Sequence, residues 1–397
     1  MHDLPLHAAS VLLGPDAADG DPTNLVARVC EALRELDNIP IDRASWSMLT
    51  LHPQIRSVQI RWAPHEGASV TPRRYERDGV LLARSPLRLL YNGETTTFRR
   101  RLAPGEDLGP FDILSELRDD GFTDYVAMVA PRIDRLERAP ITLATRAPAG
   151  FSDSDLASLE ALLPLASLAF GIHAHRQRTR TLLETYLGRD PATRVLDGHI
   201  QRGDVVAVDA AVCFCDLRGF TERSNRLAPE ALLSLLHDTF EAVVGAFDTQ
   251  GGDVLKFIGD AVLAVFVGPL DPHADTVERA YAAVTEAQIA LEAVADRRRE
   301  AGLETADVGF ALHVGPVTYG NIGGATRLDF TVLGPTVNLA SRLEGLCGAL
   351  GESLVLSADA ARCLRAANLR AAGAHTLKGI PSPVEVFVRR AEEPRAS

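Results

Sequence analysis

Apolar and polar positions along the chain follow two different periods, and the points where the period changes divide it. From Asn24, a helix-capping residue type, to Asn38, the residues Leu25, Val26, Val29, Leu33 and Leu36 recur at helical spacing. Strand-like runs follow at 46–51, 58–62 and 80–83, and 87–91 reads as either a strand or a loop. A helix is predicted over 113–119, with strands at 125–129 and 141–145. Ser152 or Ser154 then caps a long helix whose Leu156, Leu159, Leu162, Leu163 and Leu168 form one broad apolar face. A basic run at 175–181 passes into Leu182, Leu183, Tyr186 and Leu187 at 3–4 spacing, a continuing helix able to pair with its copy in a second chain. Gly188 and Pro191 end it, and 192–203 is a short helical connector.

Beyond that point strands and helices alternate. A strand is predicted at 209–215, and Pro229 opens a helix with Leu232, Leu233, Leu236, Phe240, Val243, Val244 and Phe247 on one face. Runs at 254–258 and 261–267 flank Gly259-Asp260, a dipeptide suited to a hairpin turn. A helix over 274–300, a strand at 308–314 and a second hairpin of 317–321 with 330–333 follow. The chain closes with a helix over 335–346, a strand at 354–356, a helix over 358–366 and strands near 375–377 and 384–388. The domain boundary is expected near 190–200, with a loose leader over 1–23 and a tail over 391–397.

Composition narrows the class. At 397 residues, 46% hydrophobic and 24% charged, the chain has the make-up of a soluble protein with two domains. A net charge of -12 removes any general electrostatic case for a nucleic-acid or acidic-membrane partner. The five cysteines are scattered without a CxxC, which indicates reduced thiols and a cytoplasmic setting. Cys213 and Cys215 are expected as small apolar core residues rather than metal thiolates. No signal peptide is visible. The most apolar stretch, 157–172, carries Glu160 and Pro164 and falls short of a membrane span.

The candidate chemistry centres on two carboxylates. The apolar run 210–215 ends on Asp216 and turns at once through Arg218-Gly219, and Asp260 sits in the hairpin turn. Separated by a strand, a helix and a returning strand, the two can stand at the ends of adjacent strands. Side by side they repel, and divalent cations relieve that repulsion; oxygen-only ligands favour Mg²⁺ or Mn²⁺. Gly219 lets the loop with Phe220 and Thr221 aim backbone N–H groups at a phosphate. Taken singly, each aspartate is equally a cap or turn residue. Asn338 and Arg342 are four apart on one helix face, where an amide and a guanidinium can position a sugar and stabilise a transferring phosphoryl group; a plain polar face with Arg342 paired to Glu344 or a neighbour is the simpler alternative. Lys256, between Leu255 and Phe257, either serves a polar ligand or snorkels from an edge strand.

The blocks Phe214-Cys215-Asp216-Leu217-Arg218-Gly219-Phe220-Thr221, Lys256-Phe257-Ile258-Gly259-Asp260 and the run 330–344 resemble the catalytic domain of class III nucleotidyl cyclases, in that family's order, over 205–390. The resemblance implies an α+β, ferredoxin-like or palm-type βαββαβ core. It implies Asp216 and Asp260 as ligands of two Mg²⁺ or Mn²⁺ ions, with the Leu217 carbonyl assisting. It also implies attack of the ribose 3′-oxygen on the α-phosphate of ATP, with pyrophosphate leaving. Asn338 would then orient the ribose and Arg342 neutralise the α-phosphoryl oxygens. Lys256 and Thr331 occupy the purine-recognising positions in the adenylyl-specific pattern, and Lys378 would touch the triphosphate. Because the family splits these sets between subunits, the resemblance implies a homodimer with shared sites.

Residues 24–175, closing on an aromatic-Ser-x-x-Asp-Leu helix start, resemble a smaller mixed α/β GAF-like sensor domain for an unnamed signal, joined by a signalling helix over 176–204. Two readings compete with cyclic AMP synthesis. Gly251-Gly252-Asp253 invites a diguanylate cyclase, but Val254-Leu255 stands where that family needs Glu-Phe. A degenerate, non-catalytic cyclase domain is expected to have lost one of Asp216, Asp260, Asn338 or Arg342, and all four are present.

Overall fold

The structure, a computed structural model, describes residues 4–15, 17, 20–75, 82–130, 140–268, 272–365 and 367–390. The start of the chain is not a loose leader: α1 (Leu6–Leu13) buries Ala8, Ala9 and Leu12 in the N-terminal core. The next helix, α2 (Pro22–Glu31), is capped by Asp21 rather than Asn24. The Asp21 carboxylate accepts from the Thr23 N–H at 2.9 Å, and Pro22 takes the first helical position, where no N–H is needed. A π-helical turn, Ala32–Leu36, completes the expected helix.

Six antiparallel strands follow: β1 (Arg43–Leu49), β2 (Ile55–Ala63), β3 (Gly67–Arg74), β4 (Thr97–Arg101), β5 (Asp124–Val129) and β6 (Pro140–Thr145), in the order β3-β2-β1-β6-β5-β4. Period-2 alternation sends Ala44, Trp46, Met48, Ile60 and Trp62 into a core with α1 and α2. Arg43, Ser45, Ser47, Gln59 and Arg61 face the other side, under α3 (Leu87–Asn92) and α4 (Asp112–Asp119). Residues 87–91 are therefore helical. Of the strand expected at 80–83, residues 80 and 81 lie outside the described residues, and 82 and 83 are helical.

Ser152 and Asp155 begin α5 (Asp153–Leu187) as a reciprocal capping box. The Asp155 N–H donates to the Ser152 hydroxyl at 3.1 Å and the Ser152 N–H to the Asp155 carboxylate at 2.8 Å. By length and composition α5 is long and apolar enough to cross a membrane, contrary to the expectation for 157–172, while Leu159, Leu162, Ala166, Ala169 and Phe170 are buried in the N-terminal core. Residues up to Leu182 and residues from Leu183 onward form two compact units, so the seam falls inside this helix.

In the C-terminal unit α6 (Arg189–Leu196) leads to β7 (Val205–Leu217), α7 (Phe220–Arg226), α8 (Pro229–Thr249), β8 (Asp253–Ile258), β9 (Ala261–Val267), α9 (Pro272–Glu300) and β10 (Val308–Gly323). These core strands lie in the order β10-β7-β9-β8, every neighbouring pair antiparallel, which is the ferredoxin-like arrangement. The strand expected to break at Gly315-Pro316 runs on through both residues, because β7 pairs with it from Val308↔Leu217 to Gly320↔Val205. Next come β11 (Leu328–Leu333), α10 (Pro335–Glu344), α11 (Leu346–Leu350), β12 (Leu354–Ser357), α12 (Ala358–Cys363), β13 (Leu369–His375) and β14 (Val384–Arg389). Phe247 and Phe266, ring centroids 5.8 Å apart, sit in the core that α8 and α9 make with the sheet. Cys213 and Cys215 lie in the same core, where burial pushes both thiols up.

In the N-terminal unit the fully buried Asp124 carboxylate takes the Arg99 guanidinium at 2.7 Å and the Phe151 N–H at 3.1 Å, fixing the approach to α5. Asp124→Ala leaves that cation and that N–H without their acceptor, and is expected to cost about 3 kcal/mol. Urea unfolding followed at the N-terminal transition checks this; an unchanged midpoint would remove Asp124 as the anchor.

Candidate active site

β7 ends on Asp216-Leu217, and its pairing sets Asp216 opposite Gly309 of β10. The β8–β9 hairpin closes through Gly259-Asp260, with Gly259 at φ +68°, a conformation glycine adopts without a Cβ penalty. Because β9 is the neighbour of β7 on its other side, the two aspartates come together at one end of the sheet. Both are half-buried. Burial pushes the Asp216 carboxyl up to about 7; its hydrogen bond with Asp260 and the charges of Asp260 and Glu344 add to this, while the Leu217 N–H, donating at 3.0 Å, pulls the other way.

That crowding is the structural test of a metal. Two carboxylates crowded together at the end of the sheet form an oxygen-only donor set whose repulsion a divalent cation removes, and the pair fits Mg²⁺ or Mn²⁺. Among the described residues no group of three His, Cys, Asp or Glu forms a metal cluster. The sequence-expected Leu217 carbonyl stays a proposed ligand.

Sequence reasoning missed the neighbours of this pair. Glu344, at the last turn of α10, acts electrostatically on Asp216, and its own carboxyl is raised by burial and by Asp260, against the lowering effect of Arg218. No sequence spacing links Glu344 to Asp216; the approach exists because Gly309 has no side chain. A Cβ built on Gly309 would meet the Glu344 Oε1 at 3.1 Å and the Cys347 Cβ at 3.0 Å. Arg218 fastens the same corner. Its backbone N–H donates to the Asp307 carbonyl at 2.9 Å, and its guanidinium to the Cys347 carbonyl at 3.1 Å and to the Glu352 carbonyl.

Gly219, in the left-handed region at φ +68°, starts α7, a helix not foreseen, with Phe220 and Thr221 in its first turn. Asn338 and Arg342 are both exposed on α10, and among the described residues no ion pair holds Arg342; the suggested pairing with Glu344 does not form. Lys256 has a partner that the sequence did not reveal. A bulge at Leu255 resets the β8 register so that Lys256 pairs with Leu263, and its ammonium forms an ion pair with Asp329 of β11. Asp329 is two residues before Thr331, so the structure brings Lys256 and the Thr331 strand together; Thr331 itself is buried. Lys378 is exposed in the β13–β14 connection, at the far edge of the sheet order from β8.

Residues 206–389 match the model of the adenylate and guanylate cyclase catalytic domain. The chain is 35% identical over 157 residues to an adenylate cyclase of Anabaena cylindrica, covering 38% of this chain and 30% of that protein. It is 34% identical over 185 residues to adenylate cyclase 1 of Rhizobium meliloti, covering 45% and 27%. The chain thus spans less than a third of the length of these curated relatives. A crystal structure of the adenylyl cyclase CyaB from P. aeruginosa aligns with a TM-score of 0.44 at 27% identity, over 49% of this chain and 99% of that one.

The raised Asp216 carboxyl has a consequence for stability. A folded value above the unfolded one of about 3.9 means that the folded protein holds the extra proton, so this contribution is full below pH 4 and is lost as pH rises through 7. Asp216→Asn removes the repulsion and is expected to raise the thermal midpoint in metal-free buffer at pH 8, with the gain fading towards pH 4. Equal midpoints at pH 8 would contradict the electrostatic picture.

Proposed function

We propose that the chain is an adenylate cyclase converting ATP to 3′,5′-cyclic AMP and pyrophosphate, a reading supported by the match of residues 206–389 to the adenylate and guanylate cyclase catalytic domain. The observation that carries this is the carboxylate pair Asp216 and Asp260, crowded together at one end of the ferredoxin-like sheet. When bound, two Mg²⁺ or Mn²⁺ ions held by Asp216, Asp260 and the Leu217 carbonyl would supply acidity at the ribose 3′-hydroxyl and neutralise the triphosphate. The 3′-oxygen bonds to the α-phosphorus, the bond to the bridging oxygen breaks with pyrophosphate leaving, and the hydroxyl proton passes to solvent.

The remaining roles belong to this chain's own side chains. Arg342, exposed and outside any ion pair among the described residues, neutralises charge on the α-phosphoryl oxygens, and Asn338 on the same helix face orients the ribose. Lys256 donates to the adenine ring after exchanging away from Asp329, and the Thr331 hydroxyl accepts from the exocyclic amine. Backbone N–H groups of Gly219, Phe220 and Thr221 approach the phosphates, with Lys378 as a further cation. The sites would be shared between two copies of the chain, one supplying Asp216 and Asp260 and the other Lys256 and Arg342. Phe257 and Ile258, 54% and 51% exposed at the β8–β9 tip, are apolar surface suited to such a partner. Residues 24–175 are read as a regulatory domain of GAF type, 176–204 as the signalling helix and linker, and the enzyme as cytoplasmic.

Asp260→Ala is expected to abolish cyclic AMP formation in Mn²⁺ while leaving the circular dichroism unchanged; retained turnover would sink the metal assignment. Mixed Asp216→Ala and Arg342→Ala chains are expected to recover up to one working site per heterodimer. Heterodimers that form, as seen by native mass spectrometry, yet stay inactive would count against shared sites.

A further inference from the structure

The N-terminal unit contains a cavity of about 460 Å³ on the polar face of its sheet, roofed by α3 and α4. Its wall is unusually cationic for a chain of net charge -12. Arg43, Arg56, Arg61, Arg73 and Arg84 line it, against the carboxylates of Asp112 and Glu116. Arg84 is paired with Asp112 at 2.6 Å, and Arg73 donates to the Gln59 amide oxygen at 3.1 Å. Among the described residues no ion pair or side-chain hydrogen bond engages Arg43, Arg56 or Arg61.

The backbone explains how these groups converge. Strand alternation puts Arg43 and Ser45 of β1 on the same face as Arg61 of β2, with Ser45 directly opposite Arg61. A register shift between Ile55 and Ser57 brings Arg56 into the lining beside Ser57 instead of onto the apolar face. Gathering guanidinium groups that no ion pair among the described residues holds costs free energy that an anion would offset. A wet sheet face with no ligand would need neither the roof nor the charge. The planar donor fork of arginine matches the paired oxygens of phosphates and carboxylates, and the Ser45, Ser57 and Thr142 hydroxyls add neutral donors.

We propose that this cavity is a binding site for a small, multiply charged oxyanion, a phosphate- or carboxylate-bearing metabolite held by Arg43, Arg56 and Arg61. The volume is that of an ordinary small-molecule site. Burial lowers the Arg43 pKa and the neighbouring Arg61 lowers it further, while Tyr125, Asp120 and Glu116 oppose them, so a bound anion would restore the charged form. This names a ligand class for the domain read above as regulatory. Binding is tested without reference to cyclisation, so either reading can fail alone.

The experiment titrates the full chain with inorganic phosphate and with citrate, and with glycerol as the neutral control, in metal-free buffer at low chloride, following heat and thermal midpoint. Binding of at least one anion is expected, weakened about tenfold or more in Arg43→Gln/Arg61→Gln and unchanged in Asp260→Asn, which reports on the cyclase site. Phosphate alone, citrate alone or both would each support the site and say which oxyanion it prefers. Arg61→Gln, at an exposed position, keeps the test open if the double variant does not fold. The proposal is overturned if neither anion binds better than glycerol, or if the arginine variants bind as tightly as the parent chain.

Discussion

The pairing of β7 with β10 fixes most of what the C-terminal domain can do. It runs the whole length of the thirteen-residue β7. One end sets Asp216 against Gly309; the other carries Gly320 and, through β11, the strand of Thr331 and Asp329. A slip of one residue would turn Asp216 to the opposite face and bury a charge among Cys213, Cys215 and Phe310. Flanking strands hold the register with unbroken apolar runs: Val262 to Phe266 of β9 on one side, Leu354 to Leu356 of β12 on the other.

Where the amino-acid pattern was strongly periodic it located elements well, as for α8, α9 and the β8–β9 hairpin. It failed where side-chain chemistry masks the period. In β4, Thr97-Phe98-Arg99-Arg100-Arg101, arginines stand on both faces, and β3 is an edge strand containing Pro72, so neither alternates visibly. Lys256 reads locally as a misplaced cation because its counter-ion, Asp329, lies 73 residues away and a bulge sets its direction. Likewise, the crowding of Asp216 by Glu344 depends on a helix crossing the sheet above a glycine. Aspartates 216 and 260 were legible because each ends or turns an apolar run, and a local pattern shows that.

Both domains gather charge of one sign in one place. Carboxylates gather at the end of the C-terminal sheet, and guanidinium groups on the polar face of the N-terminal one. Neither helps folding; each is the kind of local conflict that a packed scaffold tolerates where it has to meet something of opposite charge. The scaffolds that tolerate them are built differently. The N-terminal sheet keeps its charge on the face turned away from α1 and α2, while the C-terminal sheet is apolar on both sides and confines its charge to a strand end and a turn.

Gly309 shows how finely that second scaffold is machined. With no Cβ, it lets the α10–α11 corner settle against the strand beside Asp216, and a single added methyl would stand within 3.0–3.1 Å of Cys347 and Glu344. The spacing between the carboxylate pair and the corner is thus a clearance rather than a contact, set by an atom that is missing. A clearance can be closed but not reopened by ordinary substitution, since every other side chain is larger than hydrogen. Evolution of this site is therefore a one-sided problem at position 309: drift there can only push the corner away from Asp216, and any gain elsewhere must be made with that gap held fixed.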